Sequence, residues 1–120
     1  MKKINKISIL TTICFMIIGI VGSYGQTADK KTDTFKVYGN CTMCKATIEG
    51  ALKKKDGITK KNWNTETKMM TVTYDSEKSS LKEIKQKIAD VGYDTDEIHA
   101  KDEAYNNLHS CCKYDRAKNK

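Results

Sequence analysis

Two cysteines lie three positions apart in the stretch Gly39-Asn40-Cys41-Thr42-Met43-Cys44. The four residues before it, 35–38, carry apolar side chains at alternate positions, which is typical of a strand. The residues after it are apolar every four positions, as in a helix, at Cys44, Ile48 and Leu52. The cysteines are therefore predicted to lie where a strand turns into a helix, and Gly39 allows the tight exit from the strand.

The start of a helix favours ionised cysteine side chains. The first turn presents free N–H groups and the positive end of the helix dipole, and Lys45 adds a cation nearby. The thiolate is both the metal ligand and the nucleophile. Because two thiolates at this spacing can close on one soft ion, such as Cu(I), Hg(II) or Zn(II), Cys41 and Cys44 are predicted metal ligands.

The remaining periodicities predict a complete small domain. A first helix runs from the cysteines to about Lys55, with Gly57 as its stop. Ser79 or Ser80 can cap a second helix, which Gly92 ends, and Glu83 completes a capping-box pattern with Ser80. Trp63 is predicted in the core, and alternating residues predict strands over 34–38, 58–63, 69–74 and 95–100. The order β-α-β-β-α-β predicts an α+β, ferredoxin-like sandwich, with a four-stranded antiparallel sheet and two helices on one face.

The first 25 residues have the pattern of an export signal. Three lysines precede an apolar stretch of 15 residues, Ile7 to Val21, which is shorter than the roughly 20 residues of a membrane-spanning helix. Small residues before Gln26 suit cleavage, so a signal peptide over 1–25 and a periplasmic location are predicted in preference to a membrane anchor. A flexible linker is expected over 26–32, before the domain at 33–100.

The charge of the chain argues against nucleic-acid binding. Removal of 1–25 takes away three lysines and no acidic residue, so the net charge falls from +7 to +4. The remaining charge is spread along the chain without an arginine-rich or aromatic-interleaved patch. No nucleic-acid recognition motif is present, and the charge is interpreted as ordinary solubility.

The order of elements resembles the heavy-metal-associated (HMA) domain of copper chaperones, metal-pumping ATPases and the periplasmic mercuric-ion-binding protein. The resemblance rests on the strand, G-x-C-x-x-C, helix, strand pair, second helix and late Gly92-Tyr93, and it covers 33–100. The commoner family loop reads G-M-T-C-x-x-C, whereas here a methionine, Met43, stands between the cysteines. The resemblance implies that Tyr93 lies beside the metal cysteines as a cover; the alternative is that Tyr93 only packs the loop.

The chain continues beyond this pattern, from 101 to 120. A short helix is predicted over 101–107, and His109, Cys111 and Cys112 then place three ligand-type side chains within four residues. One interpretation is an auxiliary or transfer site for metal, or a strap over a metal held at Cys41 and Cys44. The other is structural, with Cys111 or Cys112 forming a disulfide in an oxidising compartment.

These features predict a binding protein, not an enzyme. The leading hypothesis is an exported Cu(I) chaperone or scavenger, which holds the ion between two thiolates and passes it by ligand exchange to a membrane metal transporter or another metal-binding protein. A mercuric-ion role uses the same site, and the protein is expected as a monomer or a metal-bridged dimer. A thiol–disulfide oxidoreductase is less favoured, because the chain has no proline to supply the cis-proline of thioredoxin-like folds. A purely structural zinc site is favoured least, because it needs four ligands and only two are local, unless the tail completes it.

Overall fold

The computed structural model describes residues 29–116. Three strands form one antiparallel sheet in the order β1-β3-β2, and three helices accompany it. The strands are β1 (Lys30–Lys36), β2 (Ile58–Trp63) and β3 (Met69–Asp75), and the helices are α1 (Thr42–Gly50), α2 (Leu81–Asp90) and α3 (Asp102–Asn106). Among residues 29–116, no helix has the length and apolar character needed to span a membrane. The predicted export signal, 1–25, lies outside the described residues.

The central strand β3 carries the inward face of the sheet. Met70 and Val72 are completely buried and Tyr74 nearly so, as alternation along a strand requires. Met70 lies opposite both Phe35 of β1 and Trp63 of β2. Trp63 is completely buried, which confirms its predicted place in the core.

Both long helices cover the same face of the sheet. Ile48 of α1 and Ile84 and Ile88 of α2 are completely buried, in one cluster with the inward residues of the sheet. The predicted capping box of α2 is confirmed: the Ser80 hydroxyl accepts from the Glu83 amide at 3.1 Å, and the Glu83 carboxylate accepts from the Ser80 amide at 3.3 Å. The predicted pair of helices on one face is therefore present.

The first strand begins at Lys30, four residues before the predicted start at Thr34. Positions 30–32, expected as part of a flexible linker, pair with the end of β3. The hydroxyls of Thr32 and Thr73 lie 2.9 Å apart across the two strands. The early start follows from β3, which continues to Asp75 and offers its backbone and a facing threonine to these residues.

The fourth strand, predicted over 95–100, is not formed. Only Thr95 makes a bridge, to Val37, so the sheet of the described residues has three strands. The Thr95 amide donates to the Ile98 carbonyl at 2.8 Å, and the buried Asp94 carboxylate accepts from the Ala100 amide at 2.7 Å. These local bonds use the backbone groups that a strand would offer to its neighbour.

The first helix ends at Gly50, not at about Lys55. Leu52 turns into the core, where it is completely buried, and its carbonyl accepts from the Lys61 ammonium group at 2.5 Å. A short 3-10 turn, Lys54–Asp56, follows and stops at Gly57, whose φ of 83° is left-handed. The lysines at 53–55 therefore belong to this connection, and Gly57 stops the 3-10 turn where it was predicted to stop the helix.

Candidate metal centre

The loop that carries the cysteines rests directly on Trp63. A Cβ atom on Gly39 would lie 2.9 Å from Cη2 of this ring, closer than packed atoms approach. The Trp63 indole N–H donates to the Val37 carbonyl at 3.0 Å, which fixes the ring beneath the end of the strand. Gly39 is therefore needed for this close approach. Its backbone conformation is not the reason, because only Gly57 and Gly92 have a positive φ among the glycines described.

Cys41 and Cys44 lie at the start of α1, as predicted. Cys41 occupies the N-cap position and is half-buried, whereas Cys44 is completely buried in the first turn. Their Sγ atoms are 4.0 Å apart. At a metal–sulfur distance of about 2.3 Å, two thiolates on one ion are separated by about 3.8 Å in tetrahedral geometry and about 4.6 Å in linear geometry. The observed separation falls within this range.

The backbone favours the thiolate form of Cys44. Burial opposes ionisation of this thiol, but hydrogen bonds from the backbone amides of Asn40 and Cys41 lower its pKa below the ordinary value. The Asn40 amide lies 3.5 Å from the Cys44 sulfur. The free N–H groups at the start of the helix thus support the ligand form of the thiol, as expected.

The ammonium group of Lys45, predicted to add a cation near the cysteines, is bound by oxygens of α1 and β2. It donates to Glu49 at 2.7 Å, to the Asn62 side chain at 2.8 Å and to the Trp63 carbonyl at 2.8 Å. The side chain therefore braces α1 against β2. The reason is tertiary, because three oxygens from two elements meet at this point and satisfy its three donors.

The tail, residues 101–116, returns to the cysteine loop. The Cys111 carbonyl accepts from the Asn40 side chain at 3.3 Å, and the sulfur atoms of Cys41, Cys111 and Cys112 all lie within 4.8 Å of one another. Cys112 is buried and Cys111 is exposed, with their sulfurs 3.9 Å apart. All four cysteines among the described residues are free thiols.

Of the other predicted site residues, Met43 and Tyr93 border the cysteines, and His109 does not. Met43 is half-exposed, and its sulfur lies 3.6 Å from that of Cys111, at the rim between loop and tail. Tyr93 is completely buried against Cys44 and Cys112. His109 is exposed and is not a member of the cluster. The sites suggested separately for the loop and the tail therefore meet in one place, without the histidine.

Tyr93 and Cys112 form the buried side of the cluster. Burial, followed by contact with the thiols of Cys44 and Cys112, raises the pKa of Tyr93 far above its usual value. Its hydroxyl faces these sulfurs but has no hydrogen-bond partner of normal geometry among the described residues. Burial and the neighbouring Cys44 raise the pKa of Cys112 to about 12. Cys112 therefore ionises less readily than Cys44.

Sequence reasoning missed the residues that hold the tail in place. The Tyr114 hydroxyl accepts from the Asp94 amide at 2.8 Å and donates to the Gly92 carbonyl at 2.9 Å. The Tyr114 ring stacks on the Tyr93 ring, with 5.8 Å between the ring centroids. Arg116 pairs with the buried Asp94 carboxylate. The available signal was weak: an aromatic residue and an arginine in an otherwise polar tail.

The match to a family model agrees with the geometry of the loop. The model described as "Heavy-metal-associated domain" matches residues 34–94, which run from β1 to the loop after α2. This range includes Cys41, Cys44 and Tyr93 and ends before the tail.

Known relatives include proteins for two metals. The chain is 35% identical over 85 residues to the mercuric transport protein periplasmic component of Shewanella putrefaciens, which covers 70% of this chain and 93% of that protein. It is 38% identical over 55 residues to the copper chaperone CopZ of Staphylococcus aureus, covering 46% of this chain and 81% of that one. A solved CopZ metallochaperone superposes with a TM-score of 0.52 at 35% identity, over 54% of this chain and 98% of the other. This chain belongs to the heavy-metal-associated domain family.

Proposed function

We propose that this protein binds Cu(I) between the thiolates of Cys41 and Cys44 and passes it on by ligand exchange. The observation that carries the proposal is the pair of sulfurs 4.0 Å apart at the start of α1, one of them with a lowered pKa. A binding role, not an enzymatic one, suits a site in which one ligand, Cys41, is half-buried at the edge of the loop.

The donor set supports a soft ion. Among residues 29–116, the ligand-type side chains gathered around Cys41 are three thiols within 4.8 Å of one another, and the Met43 thioether lies beside Cys111. Thiolate and thioether donors select Cu(I) over harder ions, which prefer carboxylates and carbonyls. The names of the copper chaperones among the relatives agree with this choice.

The exposure of the ligands supports transfer. Cys44 is completely buried, whereas Cys41 is half-buried at the edge of the loop. A thiol of a partner reaches the ion from the Cys41 side and replaces one ligand at a time. The proposed partner is a membrane metal transporter or another metal-binding protein, and the proposed compartment is the periplasm, after removal of 1–25.

Hg(II) is a second candidate cargo for the same site. The similarity to the mercuric transport component spans 70% of this chain and 93% of that protein, whereas the similarity to the copper chaperone spans 46% of this chain and 81% of that protein. Two thiolates suit Hg(II) as well as Cu(I), because both ions are soft.

The test is an anaerobic titration of the reduced full-length protein with Cu(I) against a competing chelator, and a parallel titration with Hg(II). The unmodified protein should take up Cu(I) tightly, and Cys41→Ser/Cys44→Ser should lose this binding. Tight binding of Hg(II) alone would replace the copper proposal with the mercuric one. Equal binding by the double variant would refute the assignment of these ligands.

A further inference from the structure

We propose that residues 101–116 form a strap that supplies Cys111 and Cys112 as additional ligands to the ion at Cys41 and Cys44. This inference rests on the proposed function, and it assigns a site that joins the two ends of the domain. The family match ends at residue 94, so the strap lies outside the part of the chain that the family describes.

The positions of the sulfurs carry the inference. Cys41 lies within 4.8 Å of both Cys111 and Cys112, in a group that does not include Cys44. Cys44 joins this group through Cys41, whose sulfur lies 4.0 Å from its own. The sulfurs of Cys41 and Cys44 are 4.0 Å apart, and those of Cys111 and Cys112 are 3.9 Å apart, so the two separations are nearly equal. At a metal–sulfur distance of about 2.3 Å, three thiolates around one ion are about 4.0 Å apart. Small shifts of side chains therefore suffice to bring both tail sulfurs to an ion bound at Cys41.

The strap is fixed to the domain by packing and hydrogen bonds. Helix α3 packs closely on Gly92, where a Cβ atom would lie 2.8 Å from the Ala104 carbonyl oxygen and 3.0 Å from Leu108. The Tyr105 hydroxyl donates to the Tyr114 carbonyl at 2.6 Å. Beyond the cysteines, Arg116 donates to the Ala100 carbonyl at 2.5 Å and to Asp102 at 2.6 Å. The tail thiols are thus held over the loop by packing and hydrogen bonds on both sides of them.

The cluster has a buried and an exposed side, which sets the direction of exchange. Cys44 and Cys112 are buried, Cys41 is half-buried and Cys111 is exposed, with Met43 beside it. An incoming thiol therefore meets the ion at the edge formed by Cys41 and Cys111. Each exchange forms one bond from the ion to the incoming sulfur and breaks one to a cysteine. The cysteine takes up the proton that the incoming thiol loses, and no electrons are transferred.

Additional thiolates favour retention of the ion. A partner must replace more than two sulfurs before the ion leaves, so the strap slows release and raises affinity relative to the loop alone. The protein is therefore suited to holding a soft ion until a partner with several thiols arrives.

The experiment compares full-length variants under anaerobic, reducing conditions with Cu(I) as the probe. Cu(I) affinity is measured by chelator competition, and the sulfur neighbours of the ion are counted by X-ray absorption. The unmodified protein should show more than two sulfur neighbours, and Cys111→Ser/Cys112→Ser should show two. Loss of a residue that only hydrogen-bonds to a metal ligand already weakens metal binding about tenfold or more. The Cu(I) affinity of this variant should therefore fall by at least as much. His109→Ala, in the same tail but outside the cluster, is the matched control and should change neither quantity.

The outcomes separate this inference from the proposed function. Two sulfur neighbours in the unmodified protein, or equal affinity in the Cys111→Ser/Cys112→Ser variant, would overturn the strap as a source of ligands and leave the Cys41–Cys44 site standing. Retained binding in Cys41→Ser/Cys44→Ser would overturn the proposed function instead. Because Cys112 is buried, its replacement can disturb packing. The single variant Cys111→Ser, at an exposed position, should lower the sulfur count by itself, and an unchanged count would also refute the inference.

Discussion

Arg116 donates to the buried carboxylate of Asp94 through two nitrogens, each 2.9 Å from a different oxygen. This pair ties the end of the tail to the loop that follows α2. Asp94 is completely buried and also accepts from the Ala100 amide, so the carboxylate is bonded on every side. The placement of the tail over the cysteine loop depends on this contact.

Arg116→Ala should destabilise the protein. The replacement leaves the Asp94 charge buried without its main partner, which costs about 3–5 kcal/mol for a fully buried pair. Because part of Arg116 reaches solvent, we expect a loss of about 2–3 kcal/mol in the free energy of unfolding. Urea unfolding of the metal-free protein measures the loss. Lys82→Ala, at an exposed position of α2, is the control and should be nearly neutral; equal effects of the two changes would contradict the role of the pair.

The same carboxyl predicts how stability depends on pH. Burial opposes the charge of Asp94, but hydrogen bonds from Arg116 and the Ala100 amide outweigh it and lower the pKa of this group. The folded protein therefore binds the proton less readily than the unfolded chain, whose aspartate has a pKa of about 3.9. The stabilisation by Asp94 is present above that value and is lost as the pH falls through the lower, folded value.

Unfolding free energies measured from pH 6 down to pH 3 test this dependence. The difference between the unmodified protein and Asp94→Asn should be largest at pH 6 and shrink at the acidic end. A constant difference across the range would show that the charge of Asp94 is not the source of the stability.

Gly39→Ala should disturb the cysteine loop. The new Cβ would lie 2.9 Å from the Trp63 ring, and overpacking of this kind costs about 1–3 kcal/mol. We expect a lower melting temperature and weaker Cu(I) binding, because the loop must move away from the ring. Gly50→Ala is the matched control: its Cβ would meet no atom within 4 Å, and alanine favours a helix by up to about 1 kcal/mol. If Gly39→Ala behaved like Gly50→Ala, the close contact with Trp63 would not matter.

Tyr93→Phe should leave the metal-free protein as stable as before, or more stable by up to about 1 kcal/mol. The Tyr93 hydroxyl is buried without a partner of normal geometry, so its removal relieves the cost of an unpaired polar group. Thermal unfolding of the metal-free protein is the measurement.

Tyr114→Phe gives the contrast for this prediction. Its hydroxyl makes two hydrogen bonds, to the Asp94 amide and the Gly92 carbonyl. Loss of both should cost about 1–3 kcal/mol, because a buried amide is left unpaired. A Tyr93→Phe variant that lost as much stability as Tyr114→Phe would show that the Tyr93 hydroxyl has a partner after all.

Local pattern was sufficient for most of the domain. The capping box at Ser80 and Glu83 involves residues three apart, and the buried face of β3 follows from alternation over seven residues. The position of Cys41 and Cys44 at the start of a helix was predictable for the same reason, because the strand before them and the helix after them each have their own period. Such interactions depend on near neighbours in the sequence.

The elements that were predicted wrongly depend on distant partners. The extent of β1 is set by its pairing with β3, which lies about forty residues further along the chain. The end of α1 is set by the burial of Leu52 in the core. The strand expected at 95–100 was lost to the hydrogen bonds of Asp94 and Thr95 within their own loop. Periodicity does not reveal such competition, since the residues involved have the pattern of a short strand.

The sequence by itself determined the two cysteine-bearing segments, Cys41 with Cys44 and Cys111 with Cys112. It also determined three strands and two long helices of the domain, apart from the ends of β1 and α1. Only the tertiary structure decided that these segments meet. Asn40 and Cys111 are 71 positions apart, and they come together because Tyr114 packs on Tyr93 and Arg116 closes on Asp94. These contacts join side chains from separate parts of the chain, and no spacing in the sequence specifies them. The physical reason is that local periods encode the face that each element buries, whereas the position of a tail depends on surfaces that exist only after folding.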